Sequence, residues 1–217
     1  MEQLYNSTIA AISTAMSNSG IGIVRMSGPE AFQIADRVYK GKKEKKLCDQ
    51  KSHTIHYGYI VDGEQVIDEV LVMLMRGPHS YTGEDTVEIN CHGGVYAMNR
   101  VLETVLKNGA KIAGPGEFTK RAFLNGRLDL SQAEAVMDVI QAKNEYALKS
   151  SMSQLKGSVQ KTIKEIRSDL IYEIAFIESA LDDPEHISLE GYSQKLHGIV
   201  EKEQKSIEEL LLSLIHI

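Results

Sequence analysis

The chain changes character near residue 117, and that change limits its possible folds more than any other feature. Before it, short runs of β-branched and aliphatic residues alternate with turns at Gly28, Gly63, Gly77 and Gly83. After it a helical pattern continues almost without interruption, with Pro184 the only later proline. Runs of the first kind read as strands, expected over 8–12, 22–26, 53–61, 69–75, 86–91 and 111–113. Two helices interleave with them. One follows Pro29 with Ala31, Phe32, Ile34, Ala35 and Val38 on one stripe and ends by Gly41. The other runs over 95–108, with Val95, Met98, Val101, Leu102, Val105 and Leu106 at helical spacing and Gly109 as its C-cap.

The second half predicts one long amphipathic helix over 133–181, opened by a capping box at Ser131 and Glu134. Asp182-Asp183-Pro184-Glu185 breaks it, because proline and the residue before it resist the helical conformation. A last helix is expected over 189–214, giving an αα-hairpin that is an unfinished bundle. The fold class is therefore α+β. A mixed-sheet N-terminal domain over 1–117 is expected to precede the first part of a helical domain over 118–217.

Bulk properties exclude several classes. Hydrophobic residues make up 42% and charged residues 25%, an ordinary globular balance. The net charge of -6 provides no global basic field of the nucleic-acid-binding kind, although a local basic patch is compatible with it. Cys48 and Cys91 are the only cysteines and have no zinc spacing, which fits a reducing cytosol. Residues 1–7 lack the pattern of a signal peptide, and no run of eighteen apolar residues occurs.

Three stretches carry more glycine and polar residues than their structure requires. The first is GIGIVRMSG (20–28), where Gly20-Ile21-Gly22 is either a plain turn or a close backbone approach. Arg25 lies in a mostly apolar strand and needs a carboxylate or an anionic ligand. The second is SYTGEDTVEINCHGG (80–94). Alternation puts Thr86, Glu88 and Asn90 on one face and Val87, Ile89 and Cys91 on the other. Glu88 is then either an exposed sheet residue or an acceptor for a ligand with paired N–H donors. His92 either holds a tight turn or belongs to a metal or phosphate site. The third is PGEFTKRAFLNGRLDLSQAEA (115–135), in which Lys120, Arg121 and Arg127 either meet an anionic ligand or form a solvated face. No GxxxxGK[ST], Gly-x-Ser-x-Gly or HExxH occurs, and no catalytic residue or metal ligand can be assigned.

Taken in order, these stretches resemble the MnmE (TrmE) family of tRNA-modifying GTPases, and the third is long and specific. The resemblance runs from about residue 8 to 185. It implies an N-terminal domain of the folate-binding, aminomethyltransferase-like fold that binds 5-formyl-tetrahydrofolate, a one-carbon donor, and forms a homodimer. The family's folate contacts map onto Arg25, Glu88 and Arg127. A pterin's adjacent N–H donors suit a carboxylate such as Glu88, and the glutamate tail and formyl oxygen suit arginines. His92, Gly93 and Gly94 would shape the pocket wall.

The resemblance further implies a Ras-like GTPase domain inserted into the helical domain, using GTP, magnesium and potassium. That domain is expected beyond these residues, so this piece is not expected to hydrolyse GTP. It also implies an MnmG-type FAD- and NADH-dependent partner, tRNA as substrate modified at carbon 5 of the wobble uridine (U34), no membrane association and a cytoplasmic location. The alternatives are a stand-alone folate-dependent aminomethyl- or formyl-transfer enzyme and a pure dimerisation scaffold.

Overall fold

A computed structural model of the chain describes residues 7–41 and 45–215; most of the N-terminal stretch considered above, residues 1–6, lies outside them. Two compact units divide between Leu128 and Asp129.

The first unit is built on a seven-stranded sheet in the order β3-β4-β5-β6-β2-β1-β7. The strands are β1 (Ile9–Ile12), β2 (Ser19–Ser27), β3 (Tyr39–Gly41), β4 (Thr54–Asp62), β5 (Gln65–Met75), β6 (Thr86–Gly93) and β7 (Lys111–Ile112). Neighbours are antiparallel except β1 and β7, which makes the sheet mixed. Helices α1 (Ala31–Val38) and α2 (Val95–Lys107) carry the apolar stripes expected of them. Phe32, Ala35, Met98 and Val101 join the buried cluster with Val24, Met26, Val72, Leu74, Val87 and Ile89.

Period-two alternation then decides the other face. Arg25, Glu88 and Met73 are matched across β2, β6 and β5, and the same face carries Tyr57 and Leu71, paired across β4 and β5. Tyr57 and Leu71 are exposed. Gly22 has a packing reason, since a Cβ there would collide with the Met98 side chain of α2, whereas one on Gly20 would meet nothing within 4 Å. Strand β3 was not expected. The helix thought to reach Gly41 stops at Val38, where Tyr39 turns extended and pairs with β4. Three edge residues are too few to show a period of two.

Helix α3 (Glu117–Leu124) also belongs to the first unit, so the division falls later than the change of composition at 117. The cause is long-range bonding. Arg121 on α3 donates to the Ser7 carbonyl and to the Glu84 carboxylate.

The second unit corrects the single long helix. Residues 133–181 fall into α4 (Leu130–Gln141), α5 (Glu145–Leu155) and α6 (Ser158–Asp182). Asn144 caps α5 by accepting from the Ala147 N–H at 2.8 Å, and Gly157 breaks the chain before α6 with φ 82°. The capping box is two residues earlier than expected. The Asp129 carboxylate accepts from the Gln132 N–H at 2.8 Å, and the Gln132 carboxamide accepts from the Asp129 N–H at 2.9 Å. The break after Asp182 is as expected, and α7 (Tyr192–Ile215) returns along α6. The Tyr192 hydroxyl donates to Glu173, and the Phe176 and Tyr192 rings lie 4.9 Å apart.

Candidate functional site

Antiparallel pairing of β2 with β6 places Arg25 directly opposite Glu88. The Arg25 Nε–H donates to Glu88 Oε1 at 2.7 Å. The two side chains are 25% and 15% exposed, so the pair is half-buried on the face that α1 and α2 leave open. A charge-assisted bond in that setting is stronger than a surface ion pair and holds both groups in place. Arg25 has the carboxylate that its strand position required.

The loop from β5 to β6 brings Tyr81 over this pair. The Arg25 guanidinium carbon lies 5.3 Å from the Tyr81 ring centre and 5.5 Å from that of Phe118 on α3. The Arg127 guanidinium carbon is 5.3 Å from the Tyr81 ring centre. Arg25 and Arg127, distant in sequence, thus meet at one aromatic ring, and Glu88 is tied to it through Arg25. Tyr81 and Phe118 lie inside the second and third stretches, but neither could be chosen as a site residue without knowing that α3 and the loop converge. Cation–π contact between arginine and a flat ring is favourable, and such a cluster can receive a planar, polar, partly anionic molecule.

A buried polar network holds the loop. Ser27 Oγ lies 2.7 Å from Thr82 Oγ1 and donates to Glu84 Oε2 at 2.8 Å. Asn125 Nδ2 donates to the Thr82 carbonyl at 2.7 Å, and the Tyr81 hydroxyl lies 2.9 Å from Thr119 Oγ1. Arg121 is only 3% exposed and binds both Glu84 and Glu117, which corrects the reading of it as part of a solvated face. Lys120 on the same helix is exposed. Burial pushes the Glu117 carboxyl up, but the Gly114 N–H and the Arg121 guanidinium outweigh it and hold its pKa below the usual value.

Over residues 8–127 the chain matches the family described as GTP-binding protein TrmE N-terminus, and over 130–215 the MnmE helical domain. The chain belongs to the TrmE/MnmE family. Three relatives named tRNA modification GTPase MnmE are 60% identical in Lachnoclostridium phytofermentans, 52% in Bacillus pumilus and 50% in Bacillus subtilis. Each alignment covers 94% of this chain and 45% of the relative. The chain therefore spans about half the length of the curated relatives it matches.

Beside the cluster, this TrmE/MnmE-family chain carries two further side chains from the second stretch. Cys91 is buried, and burial, with the Asp68 charge, pushes its thiol up to about 11, so it packs as a thiol. His92 is mostly exposed, and its Nδ1 lies 2.6 Å from Asp68 Oδ1. Its backbone N–H donates to Asp68 Oδ2 at 2.7 Å, which fixes the turn before α2. The bond to Asp68 holds the His92 pKa above the usual histidine value. Among the described residues no group of three or more His, Cys, Asp or Glu side chains could hold a metal ion. The protonated ring is the form that Asp68 favours, so this pairing is present at low pH and is lost as pH rises through the raised pKa. In Asp68→Asn the His92 titration, followed by imidazole proton shifts in NMR, is expected to move down towards about 6.5. An unmoved midpoint would show that Asp68 is not the cause.

Among the described residues no helix is long and apolar enough to cross a membrane.

Proposed function

We propose that this chain is the ligand-binding and dimerising part of a tRNA-modifying GTPase, and that Arg25, Glu88 and Arg127 hold a formyl-tetrahydrofolate. The convergence of Arg25 and Arg127 on the Tyr81 ring, with Glu88 bonded to Arg25, carries the reading. The donor set fits the molecule. The Arg25 bond uses Oε1 of Glu88 through Nε–H, and an N–H pair of a pterin ring matches a carboxylate. Tyr81 and Phe118 offer faces to a flat ring, and two guanidinium groups suit the anionic tail. Bound there, the folate would supply a one-carbon unit, while this chain's residues orient it.

In the same reading a second copy covers the open sheet face, where Ile55, Tyr57 and Leu71 lie exposed next to the Arg25–Glu88 pair. GTP, magnesium and potassium are handled by chain beyond these residues, since no GxxxxGK[ST] occurs within them. The FAD- and NADH-dependent partner acts on the assembled protein, and tRNA is the substrate of that complex in the cytoplasm. The relatives' name, tRNA modification GTPase MnmE, supports the RNA and GTP parts of this proposal.

Calorimetric titration of the 217-residue chain with 5-formyl-tetrahydrofolate tests the site. Glu88→Ala is expected to weaken binding at least tenfold, or about 1.4 kcal/mol. Equal affinity in the wild type and the variant would remove Glu88 from the site.

A further inference from the structure

The helical unit carries a basic groove that the folate reading does not use. A depression of about 460 Å³ lies along the start of α6, within the usual range for ligand sites. Lys156, Lys161 and Lys164 line it, with Glu165 the single carboxylate among the lining residues. Lys161 reaches Glu165 at 3.8 Å with both side chains exposed, a contact too weak to neutralise the lysine. Among the described residues no carboxylate forms an ion pair with Lys156 or Lys164. Three lysines with only one weak ion pair among them, on a chain of net charge -6, are a local exception to the overall field.

The groove has a fixed wall. Gln132 lines it, and that side chain is tied on both sides, accepting from the Asp129 N–H at 2.9 Å and donating to the Leu155 carbonyl at 2.9 Å. Gly157 permits the close approach, since a Cβ there would stand 3.3 Å from Gln132 Nε2, and its φ of 82° starts α6 without a side-chain cap. The 25-residue helix therefore presents its positive end to the same lysine-lined space. Lys161, Lys164 and Ser168 follow at helical spacing along one stripe, so two lysines and then a hydroxyl line the groove along α6.

We propose that this groove binds phosphate-type oxyanions presented by an RNA backbone. The lining contains three lysines against one carboxylate, with amides and a hydroxyl, but no aromatic ring on which a base could stack. That composition suits phosphodiester contacts without base selection rather than a free nucleotide. The proposal rests on the RNA-modifying reading only for the source of the phosphate; the oxyanion chemistry stands on the lining.

Two measurements on the 217-residue chain separate the sources. In NMR, inorganic phosphate is expected to shift the amide signals of Gly157, Ser158 and Gln160. In fluorescence anisotropy, a labelled RNA hairpin is expected to bind with an affinity that falls steeply between 50 and 200 mM salt, both values being standard for such titrations. Replacing Lys156, Lys161 and Lys164 together by glutamine is expected to reduce the logarithmic salt slope by about 2, given roughly 0.7–0.9 per phosphate contact. Restoring positive charge with arginine at the three positions is expected to restore the slope, and circular dichroism shows whether each variant keeps its helices.

An unchanged slope in the glutamine variant would overturn the proposal. Amide shifts with phosphate but no lysine-dependent RNA binding would reassign the groove to a free anion. Formyl-tetrahydrofolate titration of the same glutamine variant keeps the two readings apart. Intact folate binding with no RNA effect refutes the groove alone, and lost folate binding by Glu88→Ala with an intact RNA slope leaves the groove standing.

Discussion

Arg121→Ala is expected to lower the unfolding free energy by about 3 kcal/mol, because removing one partner strands buried charge. Arg121 is 3% exposed, and its guanidinium links three parts of the first unit. It donates to Glu117 Oε1 at 3.0 Å, to Glu84 Oε2 at 3.2 Å and to the Ser7 carbonyl at 2.9 Å. Glu84 and Glu117 keep 16% and 23% of their side-chain surface, so water partly compensates them and the loss falls at the low end of the usual range. Urea unfolding should show a lower midpoint at an unchanged slope. A midpoint equal to that of the wild type would mean that the network contributes nothing.

The pH dependence has a definite sign. The folded-state pKa of Glu117 is depressed, so its contribution is present above the ordinary glutamate range and lost as pH falls through the depressed value. With Arg121 removed, less of that contribution remains to lose in acid. Arg121→Lys should recover only part of the stability, because one ammonium cannot reproduce the planar fork that meets two carboxylates and a carbonyl. The consequence reaches the site, since Glu84 also accepts from Ser27 and lies in the loop that carries Tyr81.

Phe32→Ala is expected to cost about 4 kcal/mol through lost burial and the cavity left behind. Phe32 is 2% exposed in the cluster beneath α1. The Arg76 guanidinium carbon lies 4.3 Å from its ring centre, and Arg76 also donates to the carbonyls of Cys48 at 2.5 Å and Gln50 at 3.2 Å. The variant therefore removes a core side chain and the surface that orients a half-buried arginine. Phe32→Leu keeps most of the volume but not the ring face, and a smaller loss is expected. Thermal unfolding followed at 222 nm distinguishes the three proteins, and equal melting temperatures for Phe32→Ala and the wild type would refute the assignment.

The sheet strands and the two covering helices could be located from local pattern because their cause is local. Alternation along β6 separates Val87, Ile89 and Cys91 from Glu88 and Asn90, and the structure keeps that separation. The apolar stripe from Phe32 to Val38 ends where the helix ends. Helix interruptions were harder to see. Apolar spacing continues across 133–181, and only one asparagine cap and one glycine with positive φ divide it. Asp129 and Gln132, not Ser131 and Glu134, close the capping box, since both pairs satisfy the same sequence pattern and only backbone geometry separates them.

The sequence by itself determined the α+β class, the two faces of the sheet and the three stretches whose order identifies the family. These depend on periodicity and motif spacing, which are properties of neighbours along the chain. The tertiary structure alone decided that Arg25 meets Glu88, that Tyr81 gathers Arg25 and Arg127, and that Arg121 is buried while Lys120 is not. It also decided where the units divide, because the bonds from Arg121 to Glu84 and to the Ser7 carbonyl tie α3 back to the sheet. Each of these pairings joins residues far apart in sequence, and whether a charged side chain is solvated or paired depends on which distant group the fold brings within about 3 Å.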